Sequence, residues 1–150
     1  MSFQPQDPDY AARVRASFER QGIMGHLGAE LGDLGPGSCV IRLPFKLELS
    51  QQHGYFHGGV VGTIADSAGG YAGYTLMPSD ASVVTVEYKL NLLSPADGEL
   101  LVAHGQVVRA GRNIVVSRAD VTVTKDGREK PCATLLQTLM TLHGRPDQPA

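Results

Sequence analysis

One carboxylate is isolated from every other charge in its part of the chain. Between Tyr55 and Ser79, Asp66 is the only formally charged residue. A helix face in contact with solvent would carry several charged side chains, so we expect this segment to be buried nearly all round. A single Asp is most often a solvated surface acid. An acid in a groove of low charge is instead a candidate general base, and the surroundings of Asp66 favour that interpretation.

A His57-Gly58-Gly59 triplet begins nine residues before Asp66, at the predicted start of the same helix. The first N–H groups of a helix have no partners inside it, and with the helix dipole they attract an anion. Glycine permits close approach, so the same geometry can hold a developing oxyanion, although the triplet could also be an ordinary N-terminal turn. The triplet and Asp66 lie about 12–13 Å apart along the helix. One carbonyl group could contact both only if a second copy of the chain brought its helix alongside.

The helix that carries both features is predicted over residues 58–77, and its two sides differ. At about 100° per residue, one side is mostly apolar and collects Val60, Val61, Ile64, Ala65, Ala68, Tyr71, Ala72, Thr75 and Leu76. The other side consists of glycines around one carboxylate: Gly59, Gly62, Asp66, Gly69, Gly70 and Gly73. Each interior glycine costs about 1 kcal/mol relative to alanine. These glycines therefore indicate close approach of another backbone, a partner subunit or a ligand.

The remaining segments predict an α+β fold. Asp9 can cap a helix over residues 10–20 that Gly22 ends, and a glycine-rich stretch follows. Alternating apolar residues predict strands over residues 38–45, 86–92, 100–108, 114–124 and 132–142. Asp126-Gly127 is a hairpin signal, and short connections make the last four strands antiparallel neighbours. We expect one domain over residues 1–150, with loose ends at residues 1–8 and 144–150.

Composition excludes several classes of protein. The chain has 150 residues and a net charge of -2, so it lacks the basic footprint of a nucleic-acid-binding domain. The N-terminus has no apolar core typical of a signal peptide, and no run approaches the length of a membrane span. Cys39 and Cys132 each lie in an apolar run and are expected to be buried free thiols. We therefore expect a cytoplasmic protein without membrane or nucleic-acid partners.

Two longer motifs resemble a known family. His57-Gly-Gly-Val-Val-Gly-Thr-Ile-Ala-Asp66, followed by Val84-Thr-Val-Glu-Tyr-Lys-Leu-Asn-Leu-Leu-Ser94-Pro-Ala, is similar to hotdog-fold acyl-CoA thioesterases of the phenylacetate-degradation (PaaI) type. The likeness extends over about residues 47–142. It implies a hotdog fold, in which an antiparallel β-sheet wraps a long central helix. It also implies a homodimer, or a tetramer built as a dimer of dimers, with each site shared between two chains.

The resemblance also implies roles for individual residues. Asp66 matches the catalytic carboxylate, as general base or nucleophile, and Gly58 matches the glycine whose N–H polarises the thioester carbonyl. His57 matches the adjoining histidine, and Thr85 matches a Ser/Thr that positions water or the carboxylate. Gln51 stands where better-known members carry Asn, which departs from the family pattern. Gly59, Arg109 and Arg112 are the candidates for binding substrate, and no cofactor is implied.

Other functions stay open at this stage. His53 and His57 have a metal-ligand spacing only if helical, and Gly54 favours a loop, so we expect no metal. No Gly-x-Ser-x-Gly elbow occurs, which argues against an α/β-hydrolase. The basic residues of the hairpins form either solvated turns or a dock for CoA phosphates: Arg109, Arg112, Arg118, Lys125, Arg128 and Lys130. The rivals to a thioesterase are a non-catalytic acyl-CoA-binding module and a hotdog dehydratase or hydratase, which would use His57 with Asp66.

Overall fold

The computed structural model describes residues 2–147. Its helices are α1 (Tyr10–Arg20), α2 (Gly22–Leu27) and α3 (Gly58–Tyr74), with a short 3₁₀ turn at Leu47–Leu49. Its strands are β1 (Glu30–Gly35), β2 (Ser38–Pro44), β3 (Ser82–Leu92), β4 (Leu100–Ala110), β5 (Ile114–Lys125) and β6 (Arg128–Leu142). The predicted α+β class is confirmed.

The six strands form one antiparallel sheet in the order β1-β2-β4-β5-β6-β3. Helix α3 packs against β2 to β6, which gives the hotdog arrangement that the family resemblance implied. The prediction that β3 and β4 are neighbours was wrong, because the connection after Leu92 carries the chain across the sheet and β3 pairs with β6. Strand β3 therefore forms one edge of the sheet.

Small residues allow α3 to lie close to the sheet. A Cβ on Gly105 of β4 would come within 2.1 Å of the carbonyl oxygen of Ala68, so only glycine fits at that contact. A Cβ on Gly73 would come within 2.5 Å of Leu139 Cδ1. The helix is buried over most of its length from Val61, although Asp66 is half-buried rather than buried. It ends at Tyr74, three residues earlier than expected, shortly before Pro78, which cannot continue a helix.

The N-terminal third of the chain contains two elements that we did not predict from the sequence. Helix α1 has the predicted bounds, but Gly22 begins a second helix, α2, and β1 lies in the glycine-rich stretch, where we predicted no element. Asp9 occupies the N-cap position without a side-chain cap hydrogen bond. Instead, Asp7 Oδ1 accepts a hydrogen bond from the Asp9 N–H, at 2.9 Å.

Residues 2–8 are not the loose lead that the two prolines suggested. The side chain of Asp7 is buried, and Gln6 Nε2 donates to the carbonyl of Leu76 at 3.0 Å. Phe3 packs against the core. At the other end, Asp147 forms an ion pair with Arg20 at 3.3 Å. Residues 1 and 148–150 lie outside the described part of the chain.

Helix α1 is anchored by a charge at the C-terminal end of α3. Arg13 donates to the carbonyls of Tyr74, at 3.1 Å, and Met77, at 2.8 Å, and its guanidinium lies over the Tyr74 ring. Unpaired carbonyls at a helix C-terminus attract a cation, so this contact stabilises both helices. It fixes the junction between α1 and α2 beside the middle of α3.

Candidate active site

The carboxylate of Asp66 is held on one oxygen by two donors. Thr85 Oγ1 on β3 and Gln137 Nε2 on β6 each donate to Asp66 Oδ1, and both distances are 2.8 Å. Two hydrogen bonds to one oxygen fix the rotation of the carboxylate. No described residue donates a hydrogen bond to the second oxygen, Oδ2. The carboxylate of Asp66 is thus held in one orientation with one oxygen unpaired.

Gln137 is a residue that sequence reasoning missed. Its side chain is 0% exposed, and its amide lies against α3, where a Cβ on Gly69 would come within 1.8 Å of its Oε1. The absence of a side chain at Gly69 is therefore what admits the amide behind Asp66. A signal existed in the sequence, since Gln137 falls in phase with the inward-facing Leu135 and Leu139 of β6. A polar residue in an apolar phase needs a buried partner.

A small pocket opens beside Asp66. Its volume is about 100 Å³, and Gln21, Ser67, Gly70 and Tyr71 help to line it. A Cβ on Gly70 would meet nothing within 4 Å outside its own helix. The predicted close contact therefore holds at Gly69 and Gly73, whereas Gly70 borders open space.

Gly58 lies in a different groove at the N-terminal end of α3. Gln51, Tyr55 and Leu92 are among its lining residues, and its volume is about 330 Å³. As the first residue of α3, Gly58 has an N–H without an intrahelical partner. Gln51 lies in the same groove, and its side-chain oxygen accepts a hydrogen bond from the backbone N–H of His53.

His57 caps α3. Its Nδ1 accepts a hydrogen bond from the Gly59 N–H at 2.8 Å, so the proton of a neutral ring is assigned to Nε2. Gly59 consequently donates its own N–H inside the protein, which leaves Gly58 as the free donor of the triplet. His57 lies at the N-terminal end of α3 and Asp66 near its middle, about 13 Å apart within one chain.

The six basic residues do not form one cluster. Arg109 and Arg112 lie where β4 ends and β5 begins, whereas Lys125 and Arg128 lie at the opposite end of β5, which spans 12 residues. That length separates the two groups by roughly 30–40 Å. Within one chain, Arg112 borders a cavity near Met77, at the end of α3 remote from Gly58. The other group lies towards Gly58, since Lys125 pairs at 2.6 Å with Asp97, beside the groove.

The described residues offer no alternative nucleophile of the cysteine type. Cys39 and Cys132 are both buried and free, as expected. Burial raises the pKa of the Cys39 thiol to about 12 and that of Cys132 to about 11, so neither is a thiolate at neutral pH. Among residues 2–147, no three His, Cys, Asp or Glu side chains are grouped as metal ligands. No helix in the same range is long and apolar enough to cross a membrane.

Comparison with known proteins identifies the class to which this fold and site belong. The family model for the thioesterase superfamily matches residues 53–130. The chain therefore belongs to the thioesterase superfamily. This membership supports a hydrolase activity for the protein.

Particular relatives extend this assignment. A thioesterase family protein from Silicibacter pomeroyi is 45% identical, with a TM-score of 0.89, and the match covers 90% of this chain and 99% of that one. The PaaI protein of the E. coli phenylacetic acid degradation operon has the same fold, with a TM-score of 0.82 at 19% identity, over 94% of this chain and 99% of that one. A 1,4-dihydroxy-2-naphthoyl-CoA hydrolase of Listeria monocytogenes is 25% identical over 101 residues, 67% of this chain and 82% of that protein.

Proposed function

We propose that the protein hydrolyses acyl-CoA thioesters to a free acid and CoA. The observation that carries this proposal is the Asp66 carboxylate, held on Oδ1 by two donors and free on Oδ2 beside a pocket. Membership of the thioesterase superfamily supports the reaction type. The Listeria relative, by its name, acts on a CoA thioester, which supports CoA as the leaving group.

In the proposed reaction, Asp66 Oδ2 takes a proton from a water molecule as that water attacks the thioester carbonyl carbon. The negative charge that develops on the carbonyl oxygen is stabilised by the Gly58 N–H at the N-terminus of α3. The C–S bond then breaks, and the proton held by Asp66 passes to the departing sulfur. In the alternative route, Asp66 itself attacks the carbonyl carbon and the C–S bond breaks to release CoA thiolate. Water then hydrolyses the resulting anhydride, which frees the acid, restores the Asp66 carboxylate and supplies the proton that the thiolate takes up.

The proposed site is completed by a second copy of the chain. Gly58 and Asp66 are eight residues apart on α3, about 12 Å along its axis, so one carbonyl cannot contact both within one chain. A two-fold dimer would place Gly58 and Gln51 of one protomer against Asp66 and Thr85 of its partner, which gives two equivalent sites. Whether two such dimers then associate into a tetramer is a separate question.

The β3 edge supports this assembly. Tyr88 and Leu92 point to the side of the sheet that carries α3, and 47% and 58% of their surfaces are exposed. Leu93, at the same end, is 57% exposed. A long edge strand with exposed apolar side chains next to a groove is a surface that proteins ordinarily cover.

Substrate contacts outside the reacting atoms are also part of the proposal. Gln51 would hold water or the acyl group in place of the family Asn, and His57 would orient the first turn of α3 through its bond to Gly59. The CoA phosphates would bind to one of the two basic groups at opposite ends of β5. One group is Arg109 with Arg112, and the other is Lys125 with Arg128.

The test is a panel of aryl-, short- and long-chain acyl-CoAs with detection of the free thiol. We expect release of CoA in the presence of EDTA, because the proposed chemistry uses a carboxylate and a backbone N–H only. Asp66→Asn serves as the matched control, since it preserves shape and removes the base. Binding of acyl-CoA without thiol release would favour the non-catalytic module, and hydration of an enoyl-CoA would favour the hydratase. Loss of activity in EDTA with recovery on adding a divalent ion would contradict the proposed mechanism.

A further inference from the structure

The pocket beside Asp66 has a polar wall built by a residue from outside the hotdog sheet and helix. Gln21 lies between α1 and α2, and its Nε2 donates to Tyr71 Oη at 3.0 Å. Its Oε1 accepts a hydrogen bond from Ser67 Oγ at 3.1 Å. Tyr71 Oη lies 3.1 Å from Ser17 Oγ, so its own hydrogen has a partner on α1. This network fixes the orientation of the Gln21 amide.

The amide of Gln21 retains capacity to bind a ligand. A primary amide has two N–H donors, and the bond to Tyr71 uses one of them. Five of the seven residues that line the pocket carry polar side-chain atoms, and Val83 is the one aliphatic side chain among them. A pocket of this composition matches a group that can form hydrogen bonds better than it matches a hydrocarbon chain.

The size of the pocket limits what it can hold. Its volume is about 100 Å³, against about 330 Å³ for the groove at Gly58, so it suits a short group. Gly70 maintains this space, since a Cβ there would project into it without meeting another atom within 4 Å. A glycine inside a helix costs about 1 kcal/mol relative to alanine. At Gly70 no close contact requires a glycine, so the open pocket beside it is what explains this loss of helix stability.

Docking of the N-terminal helices does not require Gln21. Arg13 already holds α1 at the C-terminal end of α3 through the carbonyls of Tyr74, Met77 and Pro78. Val14 and Met24 are fully buried in the core. The polar bridge from Gln21 to Ser67 and Tyr71 is therefore additional to the contacts that hold the segment in place.

We propose that this pocket receives the acyl group and selects short acyl groups that carry a hydroxyl or another oxygen, with Gln21 as the residue that determines this specificity. The proposal rests on the proposed thioesterase function, because Asp66 must lie next to the bound acyl group. The second N–H of Gln21, which meets no acceptor among the described residues, donates to the oxygen of the acyl group, while the small volume of the pocket excludes longer chains.

The experiment compares butyryl-CoA with 3-hydroxybutyryl-CoA and 4-hydroxybutyryl-CoA, which differ from it by one hydroxyl. We expect kcat/KM for the better hydroxylated substrate to exceed that for butyryl-CoA by about tenfold, the equivalent of one hydrogen bond. Octanoyl-CoA should be a poorer substrate than any of them. In Gln21→Leu the ratio should fall to about one, because leucine keeps the bulk and removes the donor. Gln106→Leu is the matched control, since Gln106 is exposed on β4 and the same change there should leave the ratio intact.

Equal or lower activity on the hydroxylated substrates, or a ratio that survives Gln21→Leu, would overturn the proposal. If Gln21→Leu fails to fold, Ser67→Ala removes the hydroxyl that orients the amide and should lower the same ratio. Dissociation constants for the same CoA esters are also measured by calorimetry on Asp66→Asn, where hydroxylated esters should bind about tenfold more tightly. Absence of thiol release from every ester with this binding ratio present would reject the thioesterase function and keep the pocket assignment. Turnover without any such ratio would reject the pocket assignment alone.

Discussion

The two ends of the proposed site on α3 are built differently. Around Asp66, one chain supplies both donors that position the carboxylate, Thr85 on β3 and the fully buried amide of Gln137 on β6. Around Gly58, the groove is wider and is bordered by Leu92, which is more than half exposed. We call the Asp66 end complete, because one chain supplies its two donors, and the Gly58 end incomplete, because exposed apolar surface borders its groove.

This difference follows from where the strands lie. Gln137 is on β6, an interior strand that is paired on both sides, so its side chain can be fixed with little freedom. Leu92 is on β3, the edge strand, where one side of the backbone has no neighbour in the sheet. Thr85, the other donor to Asp66, is on the edge strand β3, so the buried amide of Gln137 is what distinguishes the carboxylate end. An edge strand favours association with another chain.

The largest effect is expected at the complete end of the site. Asp66→Asn should lower kcat by about 10²–10⁴-fold, because asparagine is nearly isosteric and cannot accept a proton. Thermal unfolding of the variant should stay close to wild type, since the amide can still accept from Thr85 and Gln137. The measurement is steady-state thiol release together with a melting curve. A purified variant with near-normal kcat would make Asp66 a structural residue and our central assignment wrong.

The next effect tests whether the buried amide acts through Asp66. Gln137→Met keeps the volume and removes the donor, so the carboxylate loses one of its two restraints. We expect kcat to fall by about 10–100-fold with a small change in KM, as for loss of an interaction that matters in the transition state. In an Asp66→Asn background, the same substitution should change the residual rate little, because residues that act as a unit are non-additive.

Ser117→Ala is the matched control for Gln137→Met. Ser117 is also fully buried on the neighbouring strand β5 and faces α3, but no hydrogen bond joins it to Asp66 among the described residues. It should leave kcat unchanged. An equal loss of activity in Ser117→Ala would indicate general disturbance of the core, and a full additional loss in the Asp66→Asn background would show that Gln137 does not act through Asp66.

Much of this site could be predicted from local sequence, and the part that could not is long-range. The isolated charge of Asp66 and the glycines around it are visible within one helix, and so is the start of α3 at Gly58. Gln137 is 71 residues from Asp66, and its contact depends on which strand lies beside β3. The chain order suggested β4 as that neighbour, whereas the sheet places β6 there.

The N-terminal segment was missed for a different physical reason. Helix α2 has six residues, two of which are glycine, and β1 also includes two glycines. Neither segment has the periodicity or propensity to be recognised alone. Burial of Met24 and Leu27 in the core stabilises α2, and pairing with β2 stabilises β1. Gln21 therefore gave no signal in the sequence, although it lines the pocket beside Asp66.

The incomplete end of the site is tested by mixing subunits. Gln51→Ala alters the Gly58 end and Asp66→Asn alters the other, and each protein is first shown to be weakly active alone. After co-refolding at equal amounts, random pairing makes about half of the dimers mixed, and one of the two sites in each is wild type. About a quarter of all sites should then regain the wild-type rate. If each site lay within one chain, the mixture would stay at the mean of its two parents.

The smallest effects are expected at two adjacent glycines, Gly69 and Gly70. A Cβ at position 69 would meet Gln137 Oε1 at 1.8 Å and Ser117 Oγ at 3.0 Å, whereas a Cβ at position 70 meets nothing within 4 Å. Gly69→Ala should therefore lower the free energy of unfolding by about 1–3 kcal/mol, as for an overpacked core. Gly70→Ala should raise it by about 0.5–1 kcal/mol through helix propensity alone.

Both changes are measured by thermal and urea unfolding, where 1 kcal/mol corresponds to a shift in Tm of about 2–4 °C for a chain of this size. The double variant Gly69→Ala/Gln137→Ala separates the steric effect of the added Cβ from the loss of the hydrogen bond to Asp66. Truncating Gln137 removes the clash and should restore part of the stability lost in Gly69→Ala, but kcat should stay low because the donor to Asp66 is gone. Stabilisation by Gly69→Ala comparable to that by Gly70→Ala would contradict the tight packing behind Asp66. Recovery of kcat in the double variant would show that Asp66 needs no support from this side of the sheet.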